Sequence, residues 1–304
     1  MLSSGEEYVG SWNRVALQAC VRRAYLLRLR GRLSDALSTG AEALVRLPGV
    51  PTAYAGPCLG EIAHAHALRG DAGAAESVLG RASGLTLSTG PPTDLPLELA
   101  RAWTLAARGD VQRAIERSLE VAESPYMMFT LFALHDVVRL GRPDLVADRL
   151  AALPVHGVLA PLFARHAAAR TAGELLSVSE SFARLGFLLY AAESAARAAA
   201  RFVESGEPRR ATGAETRAWA LTQRCQGART PALVGLSLRG LTPRQLEIAT
   251  LAAQGLTNRE IASRLVLSIR TVANTLYAVY EKTGTPDRKA LAETFQWIRG
   301  LPPE

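Results

Sequence analysis

The sequence predicts an all-α protein in which a long array of helical hairpins precedes a compact domain of four short helices. Three observations lead to this fold class. Glycines recur at a fixed spacing in the first part of the chain, no run of alternating β-branched residues indicates a strand, and helix-capping residues cluster after Gly240. The composition, with 48% hydrophobic and 21% charged residues, is typical of a folded globular protein.

The glycine pattern predicts helical hairpins. Gly31, Gly70 and Gly109 are 39 residues apart, and each is followed by alanine five residues later. Such a glycine ends a helix in the left-handed conformation, and a small residue lets the next helix pack closely. Gly206 repeats the pattern with Ala211 and Ala218, and a weaker copy begins at Gly141, with Val146 in place of the first alanine. Because one hairpin cannot bury its apolar face alone, we expect a solenoid that resembles tetratricopeptide repeats, with an irregular helical bundle as the alternative.

A change in composition separates the two parts of the chain. Gly227-Ala228-Arg229-Thr230-Pro231 and Arg239-Gly240 bracket a segment that is rich in turn-forming residues. We therefore predict a helical repeat domain over residues 1–226, a linker over residues 227–240 and the compact domain over residues 241–304.

Capping residues locate the helices of the compact domain. Thr242 and Thr257 each begin a capping box. Ser268 caps a third helix, which we expect to end at about Thr283, and a fourth helix follows Thr285. A short helix, a tight turn and a longer helix form the helix-turn-helix arrangement.

The third of these helices has two distinct faces. At about 100° per residue, Val272, Leu276 and Val279 share a face that we expect in the core. The opposite face carries the candidates for contact with base edges, which are Arg270, Ala273, Asn274 and Tyr277. At about 1.5 Å per residue this helix is about 22 Å long. Its diameter with side chains, about 10–12 Å, suits a DNA major groove about 12 Å wide.

The compact domain resembles the LuxR-type (GerE-like) DNA-binding domain. The resemblance extends without a gap over the following residues: Leu241-Thr242-Pro243-Arg244, Glu247, Gly255, Asn258, Glu260-Ile261-Ala262, Leu265, Ser268, Thr271-Val272, Lys282 and Gly284. It implies a four-helix DNA-binding domain with a recognition helix over about residues 268–283, and a last helix that is often used for dimerisation.

The sequence departs from this family pattern at four positions. Ala273 replaces the usual lysine, which removes a positive charge from the groove face, and Thr275 replaces the usual histidine. Thr283 and Thr285 replace leucine and valine around the final glycine, and we expect them to weaken the packing of the last helix.

Further residues are candidates for contacts with DNA phosphates, partly through helix N-termini. They are Thr242, Thr257, Asn258, Arg259, Ser268, Thr271 and Lys282. Helix capping alone is the alternative role for the capping residues, and a solvated surface is the alternative for Arg270 and Tyr277. The net charge of +7 is consistent with a polyanionic partner, and the alternative explanation for the many arginines is a G+C-rich genome, whose codons favour arginine and alanine.

From the resemblance and the two-faced helix we expect a transcriptional regulator that binds double-stranded DNA. The repeat domain would control it, the last helix would form a homodimer, and RNA polymerase or a regulatory protein would be further partners. The alternative, motivated by Ala273 and Thr275, is a helical-repeat adaptor whose helix-turn-helix is degenerate.

A second resemblance lies upstream of the compact domain. The run from Leu185 to Glu193 and the run Ala228-Arg229-Thr230-Pro231 are similar to the segment before this domain in large ATP-binding LuxR-type (MalT-like) regulators. Those regulators carry an ATP-binding domain, and a P-loop needs Gly-Lys-Ser/Thr. Neither lysine of this chain, Lys282 or Lys289, follows a glycine, so we expect the chain to lack the ATPase domain.

We expect no enzyme activity, no metal site and no cofactor. His64 and His66 are two residues apart, so on a helix they point in different directions and cannot share a metal ion. The three cysteines are widely scattered and match no metal-binding spacing. The longest charge-free run contains proline and glycine and is too short to span a bilayer, so we expect a cytoplasmic protein without a membrane segment.

An aromatic cluster in the middle of the chain is open to two interpretations. It consists of Tyr126, Met127, Met128, Phe129, Phe132 and His135. These side chains could line a pocket for a ligand or partner, or they could pack between repeats in the core.

Overall fold

The structure, a computed structural model, describes residues 4–46, 52–83, 94–234, 241–283 and 285–292. Its helices are α1 (Ser4–Leu29), α2 (Leu33–Arg46), α3 (Thr52–Leu68), α4 (Ala72–Ser83), α5 (Leu95–Ala107), α6 (Val111–Ala122), α7 (Met127–Arg139), α8 (Ala147–Ala152), α9 (Leu159–Ala168), α10 (Ala172–Arg184), α11 (Leu188–Glu204), α12 (Pro208–Gln223), α13 (Pro243–Ala253), α14 (Asn258–Leu265) and α15 (Ile269–Thr283). Residues 231–234 and 288–292 are also helical, and within the described ranges no strand occurs. The predicted all-α fold class is confirmed.

The recurring glycines form the turns between paired helices. Gly31, Gly70 and Gly109 have φ values of 78°, 77° and 92°, and they separate α1 from α2, α3 from α4, and α5 from α6. Gly141, the weaker copy, is followed by a 3-10 turn at Pro143–Leu145 and the short helix α8, so the hairpin is irregular there. Each helix packs mainly on its neighbours in the chain, and α3 also packs on α1 and α5. None of the described helices is both long and apolar enough to cross a bilayer.

A buried arginine lies at the centre of the array α1–α12. Arg139, on α7, is 1% exposed, and its guanidinium carbon lies 4.2 Å from the ring centroid of Trp103 and 4.5 Å from that of Tyr190. Its Nε donates to Glu193 Oε2 at 2.7 Å, and its Nη1 donates to Asp136 Oδ1 at 2.8 Å. The bond to Glu193 joins α7 to α11 across the core, whereas Asp136 lies on α7 itself.

Further polar groups are buried beside this arginine. Arg28 on α1 pairs with Glu61 on α3 at 2.6 Å, and both side chains are at most 7% exposed. His135 Nε2 lies 3.0 Å from His166 Nδ1. Phe132 and His135 are buried, which favours the packing interpretation for these members of the aromatic cluster, whereas Tyr126, Met127 and Met128 lie at the surface.

The compact domain has a hydrophobic core of its own. It is formed by Leu241, Ile248, Ala249, Leu251, Ala252, Ile261, Ala262, Val272, Leu276, Val279 and Leu291. The residues predicted to form the inner face of α15, Val272, Leu276 and Val279, are each at most 3% exposed. This core fixes which side of α15 is left at the surface.

Candidate nucleic-acid interface

Two capping boxes fix the starts of α13 and α14. Thr242 Oγ1 accepts a hydrogen bond from the Gln245 N–H, and Gln245 Oε1 accepts one from the Thr242 N–H at 3.0 Å. Thr257 and Glu260 repeat this exchange, and the Thr257 N–H holds the pKa of Glu260 below its usual value. The hydroxyls of both threonines are therefore engaged in helix capping.

The turn between α14 and α15 has a strained backbone. Val266 has φ 55° and ψ 52°, a left-handed conformation that is unfavourable for a β-branched residue. Its side chain is 91% exposed. Arg244 of α13 donates to the Leu265 carbonyl at 2.8 Å and to Glu247 at 2.6 Å, so α13 holds the end of α14 beside the turn.

Ser268 begins α15. Its Oγ accepts a hydrogen bond from the Thr271 N–H at 3.0 Å and lies 2.8 Å from Thr271 Oγ1. Thr275 Oγ1 donates to the Thr271 carbonyl at 2.8 Å. The hydroxyls of Ser268 and Thr271 are therefore occupied within the first turn, as expected for capping.

The outer face of α15 is exposed to solvent. All four candidates for base contacts, Arg270, Ala273, Asn274 and Tyr277, are exposed, and Tyr277 is 66% exposed. No hydrogen bond or ion pair joins Arg270, Asn274 or Tyr277 to another described residue. A guanidinium, a carboxamide and a phenol therefore point away from the domain core on one helix.

The predicted phosphate contacts differ in their surroundings. Arg259 is exposed on α14 and makes no hydrogen bond or ion pair with a described residue. Asn258 Oδ1 instead accepts a hydrogen bond from Arg288, which also donates to the Leu256 carbonyl. Lys282 Nζ donates to Gln245 Oε1 at 2.9 Å and so lies beside the first capping box.

Arg264 is an exposed cation that the sequence analysis did not select. It lies on α14 and, like Arg259, has no hydrogen bond or ion pair to a described residue. The signal in the sequence that could have identified Arg264 is that α14 carries two arginines, Arg259 and Arg264, outside its apolar face. Residues 241–292 contain seven lysines and arginines against four acids, so the domain is basic.

The two threonines at the end of α15 are accommodated by hydrogen bonds. Thr283 and Thr285 are 6% and 3% exposed, and their hydroxyl oxygens lie 2.8 Å apart. Thr283 also donates to the Val279 carbonyl at 2.8 Å. Because the Thr283 hydroxyl hydrogen goes to Val279, Thr285 donates to Thr283, and both buried hydroxyls are hydrogen-bonded. These bonds offset the loss of packing that the sequence predicts for the last helix.

Comparisons with known proteins agree with this geometry. Residues 239–295 match the family described as "Bacterial regulatory proteins, luxR family". A segment of 53 residues is 43% identical to the Mycobacterium tuberculosis protein named "Putative HTH-type transcriptional regulator Rv0890c". The match covers 17% of this chain and 6% of that protein. Residues 239–295 therefore form a LuxR-type helix-turn-helix domain.

Proposed function

We propose that the chain is a DNA-binding transcriptional regulator and that α15 is its recognition helix. The observation that carries this proposal is the outer face of α15, where Arg270, Asn274 and Tyr277 have no described partner while the inner face packs in the core. In helix-turn-helix proteins the second helix of the motif enters the major groove.

The chemistry of this face suggests how sequence is read. Asn274 offers one acceptor and two donor hydrogens, which match the N7 and N6 edge of adenine. Arg270 lies near the start of the helix and suits guanine or a phosphate, whereas Tyr277 suits a phosphate or a thymine methyl group. Ala273 has no polar group, so base recognition depends on its neighbours.

Phosphate contacts are assigned first to Arg259, with Arg264 as an addition. Both side chains are exposed, and a cation near the duplex releases condensed counterions on binding. The hydroxyls at the helix starts already take part in capping. The backbone N–H groups at these helix N-termini therefore remain the candidates for phosphate contacts at Thr242, Thr257, Ser268 and Thr271. Asn258 and Lys282 would contact DNA only in addition to their intramolecular bonds.

Control by the array α1–α12 and dimerisation through the last helix are part of the proposal. Leu291 in that helix is fully buried in the core of its own domain, so a dimer contact must use other side chains of the helix. Contact with RNA polymerase or a regulatory protein would use surfaces outside α15.

Selection from a library of duplexes with a randomised centre, using the intact chain, tests the proposal. We expect an enriched motif, and we expect Asn274→Ala to relax the preference at one base pair by about 1–3 kcal/mol. Arg259→Ala should weaken all duplexes alike and reduce the salt dependence by about one counterion. Arg113→Ala, at an exposed site on α6, is the matched control and should change neither the base preference nor the affinity and its salt dependence.

Failure to bind any duplex at low salt would refute this function. If the intact chain then captured a stable protein partner, the adaptor with a degenerate helix-turn-helix would be favoured instead.

A further inference from the structure

The outer face of α15 is divided along its length into two rows of side chains. Ile269, Ala273 and Tyr277 follow one another at intervals of four residues, and they are called the apolar ridge. Arg270 and Asn274 are separated by the same interval and form the polar ridge beside it. Positions four residues apart form a row on a helix surface, and positions three residues apart lie on neighbouring rows. Ala273 therefore lies beside Arg270, and Tyr277 lies beside Asn274.

The apolar ridge lies at the surface of the domain. Ile269 and Tyr277 are 51% and 66% exposed, and Ala273 is also exposed. The core of the domain is formed instead by the opposite side of the helix, through residues such as Val272 and Leu276. The apolar ridge is therefore available to a partner without any change in the packing of the domain.

Most other polar groups in the first two turns of α15 are already engaged. The Ser268 and Thr271 hydroxyls lie within hydrogen-bond distance of each other, and the Thr275 hydroxyl donates to the Thr271 carbonyl. Between Ser268 and Thr275, the side-chain polar groups without a described partner are those of Arg270 and Asn274. This face therefore offers one row of hydrogen-bonding groups and one row of apolar groups.

An A·T pair presents the same two kinds of group in the major groove. The N7 and N6 atoms of adenine match the carboxamide of Asn274, whereas the C5-methyl group of thymine accepts an apolar contact. The rise from Ala273 to Tyr277 is about 6 Å, and two base-pair steps advance about 6.8 Å. When α15 lies along the groove, Ala273 and Tyr277 therefore reach methyl groups on base pairs two steps apart.

The charges near Tyr277 favour a contact with a base over a contact with a phosphate. Glu281, four residues later in the same row, is exposed and has no hydrogen bond or ion pair to a described residue. Its carboxylate would repel a phosphate group beside Tyr277. Lys282, the nearest cation in sequence, donates instead to Gln245 Oε1 at 2.9 Å.

We propose that the apolar ridge recognises thymine methyl groups through Ala273 and Tyr277, next to an adenine that Asn274 recognises. This inference rests on the proposed function, and it assigns Tyr277 to base edges and not to phosphates. Alanine at position 273 also lets the helix backbone approach the base edges, whereas a longer side chain would hold it away. Recognition of A·T pairs then depends on an apolar contact as well as on hydrogen bonds.

Replacement of thymine by uracil removes the methyl group from the base and keeps its pairing. The probe is the duplex that the intact chain enriches from the randomised library, compared with the same duplex carrying uracil at every thymine of the motif. We expect the affinity to fall by about fourfold for each methyl group contacted, as for one buried CH₂ group. The same replacement outside the motif is the control and should leave the affinity unchanged. Equal affinity for the two duplexes, or a motif that contains only G·C pairs, would overturn the inference.

Two variants of Tyr277 separate a methyl contact from a phosphate contact. Tyr277→Phe keeps the ring and should retain both the affinity and the effect of uracil. Tyr277→Ala should weaken binding of the thymine duplex and abolish the effect of uracil at one position, as a double-mutant cycle measures. Trp219→Ala, at a 45% exposed aromatic residue on α12, is the matched control and should change neither quantity. Equal weakening of all duplexes by Tyr277→Phe would show that the hydroxyl contacts a phosphate, and would contradict the assignment.

The possible outcomes separate this inference from the proposed function. Hydrogen exchange over residues 241–292 first shows that each variant is folded. If no duplex binds at low salt, the proposed function and the recognition of thymine both fail. If binding depends on Asn274 but not on thymine methyl groups, α15 remains the recognition helix and only the role of the apolar ridge is refuted.

Discussion

The array and the compact domain both bury an apolar core, but they differ in the polar groups that they bury. The array buries charged and polar groups between distant hairpins, including Arg139 with Glu193 and Arg28 with Glu61. The described residues of the compact domain bury no charged side chain, and Thr242, Thr257 and Glu260 cap helices at its surface. Burying a charge is costly unless its partner is in place, so the array depends on long-range geometry. The helix starts of the domain depend on residues within a few positions of each other.

The largest expected effect is at Arg139. Arg139→Met would leave the carboxylates of Asp136 and Glu193 buried without their cation. Burial alone would lower the pKa of Arg139, but Glu193 and its neighbours raise it above the ordinary value, so the charge is retained. We expect the free energy of unfolding in urea to fall by about 3–5 kcal/mol. Arg142→Met, in the surface pair with Asp144, should lower the free energy of unfolding far less than Arg139→Met does, and an equal loss at both sites would contradict the contrast.

The second effect is at the core of the compact domain. Leu276→Ala removes a side chain that is 3% exposed and should cost about 2–5 kcal/mol through lost contacts and a cavity. Hydrogen exchange should accelerate over residues 241–292 but not over the array, because the two cores are separate. Tyr277→Ala, on the opposite face of the same helix, should leave exchange nearly unchanged.

The array should also be more sensitive to acid than the domain. Burial lowers the pKa of His166 to about 3 and the pKa of His135 well below its usual value, with nearby cations adding to both. As the pH falls, the unfolded chain therefore takes up protons on these histidines before the folded chain does. The contribution of the two neutral histidines to the free energy of unfolding is complete above about pH 6.5 and is lost as the pH falls towards 3. Each histidine should contribute a slope of up to about 1.4 kcal/mol per pH unit.

Urea unfolding between pH 7 and 5 measures this slope, in a window where most carboxylates stay charged. His166→Gln, which retains a hydrogen-bonding side chain beside His135, should reduce the slope. His156→Gln, at an exposed position, is the control and should retain it. A slope that is identical in all three chains would refute the assignment.

The smallest expected effect is a gain in stability at the turn of the helix-turn-helix. Val266→Gly removes the cost of a β-branched residue in the left-handed conformation, and Val266 loses little packing because it is 91% exposed. We expect the domain to gain about 0.5–1 kcal/mol in thermal unfolding. Val203→Gly, at a 54% exposed position in the last turn of α11, should instead lose up to about 0.5 kcal/mol. Destabilisation by both changes would show that Val266 is not strained.

The same contrast explains how far the sequence could predict the structure. The capping boxes at Thr242 and Thr257 and the inner face of α15 are confirmed, because each depends on residues within one or two helical turns. The roles of the outer-face residues in DNA binding remain predictions. Asn258 could not have been recognised as a partner of Arg288 from sequence, since that bond crosses from α14 to the last helix.

By itself, the sequence determined the helical class, the hairpin turns and the two-faced helix α15, since local backbone chemistry specifies them. Only the tertiary structure decided which distant groups meet. It paired Arg139 with Glu193, brought His135 to His166, and returned Gln226 to Asp35 across 191 positions of the chain. The physical reason is that such contacts depend on how successive hairpins stack, and the small rotation between neighbours accumulates along the array.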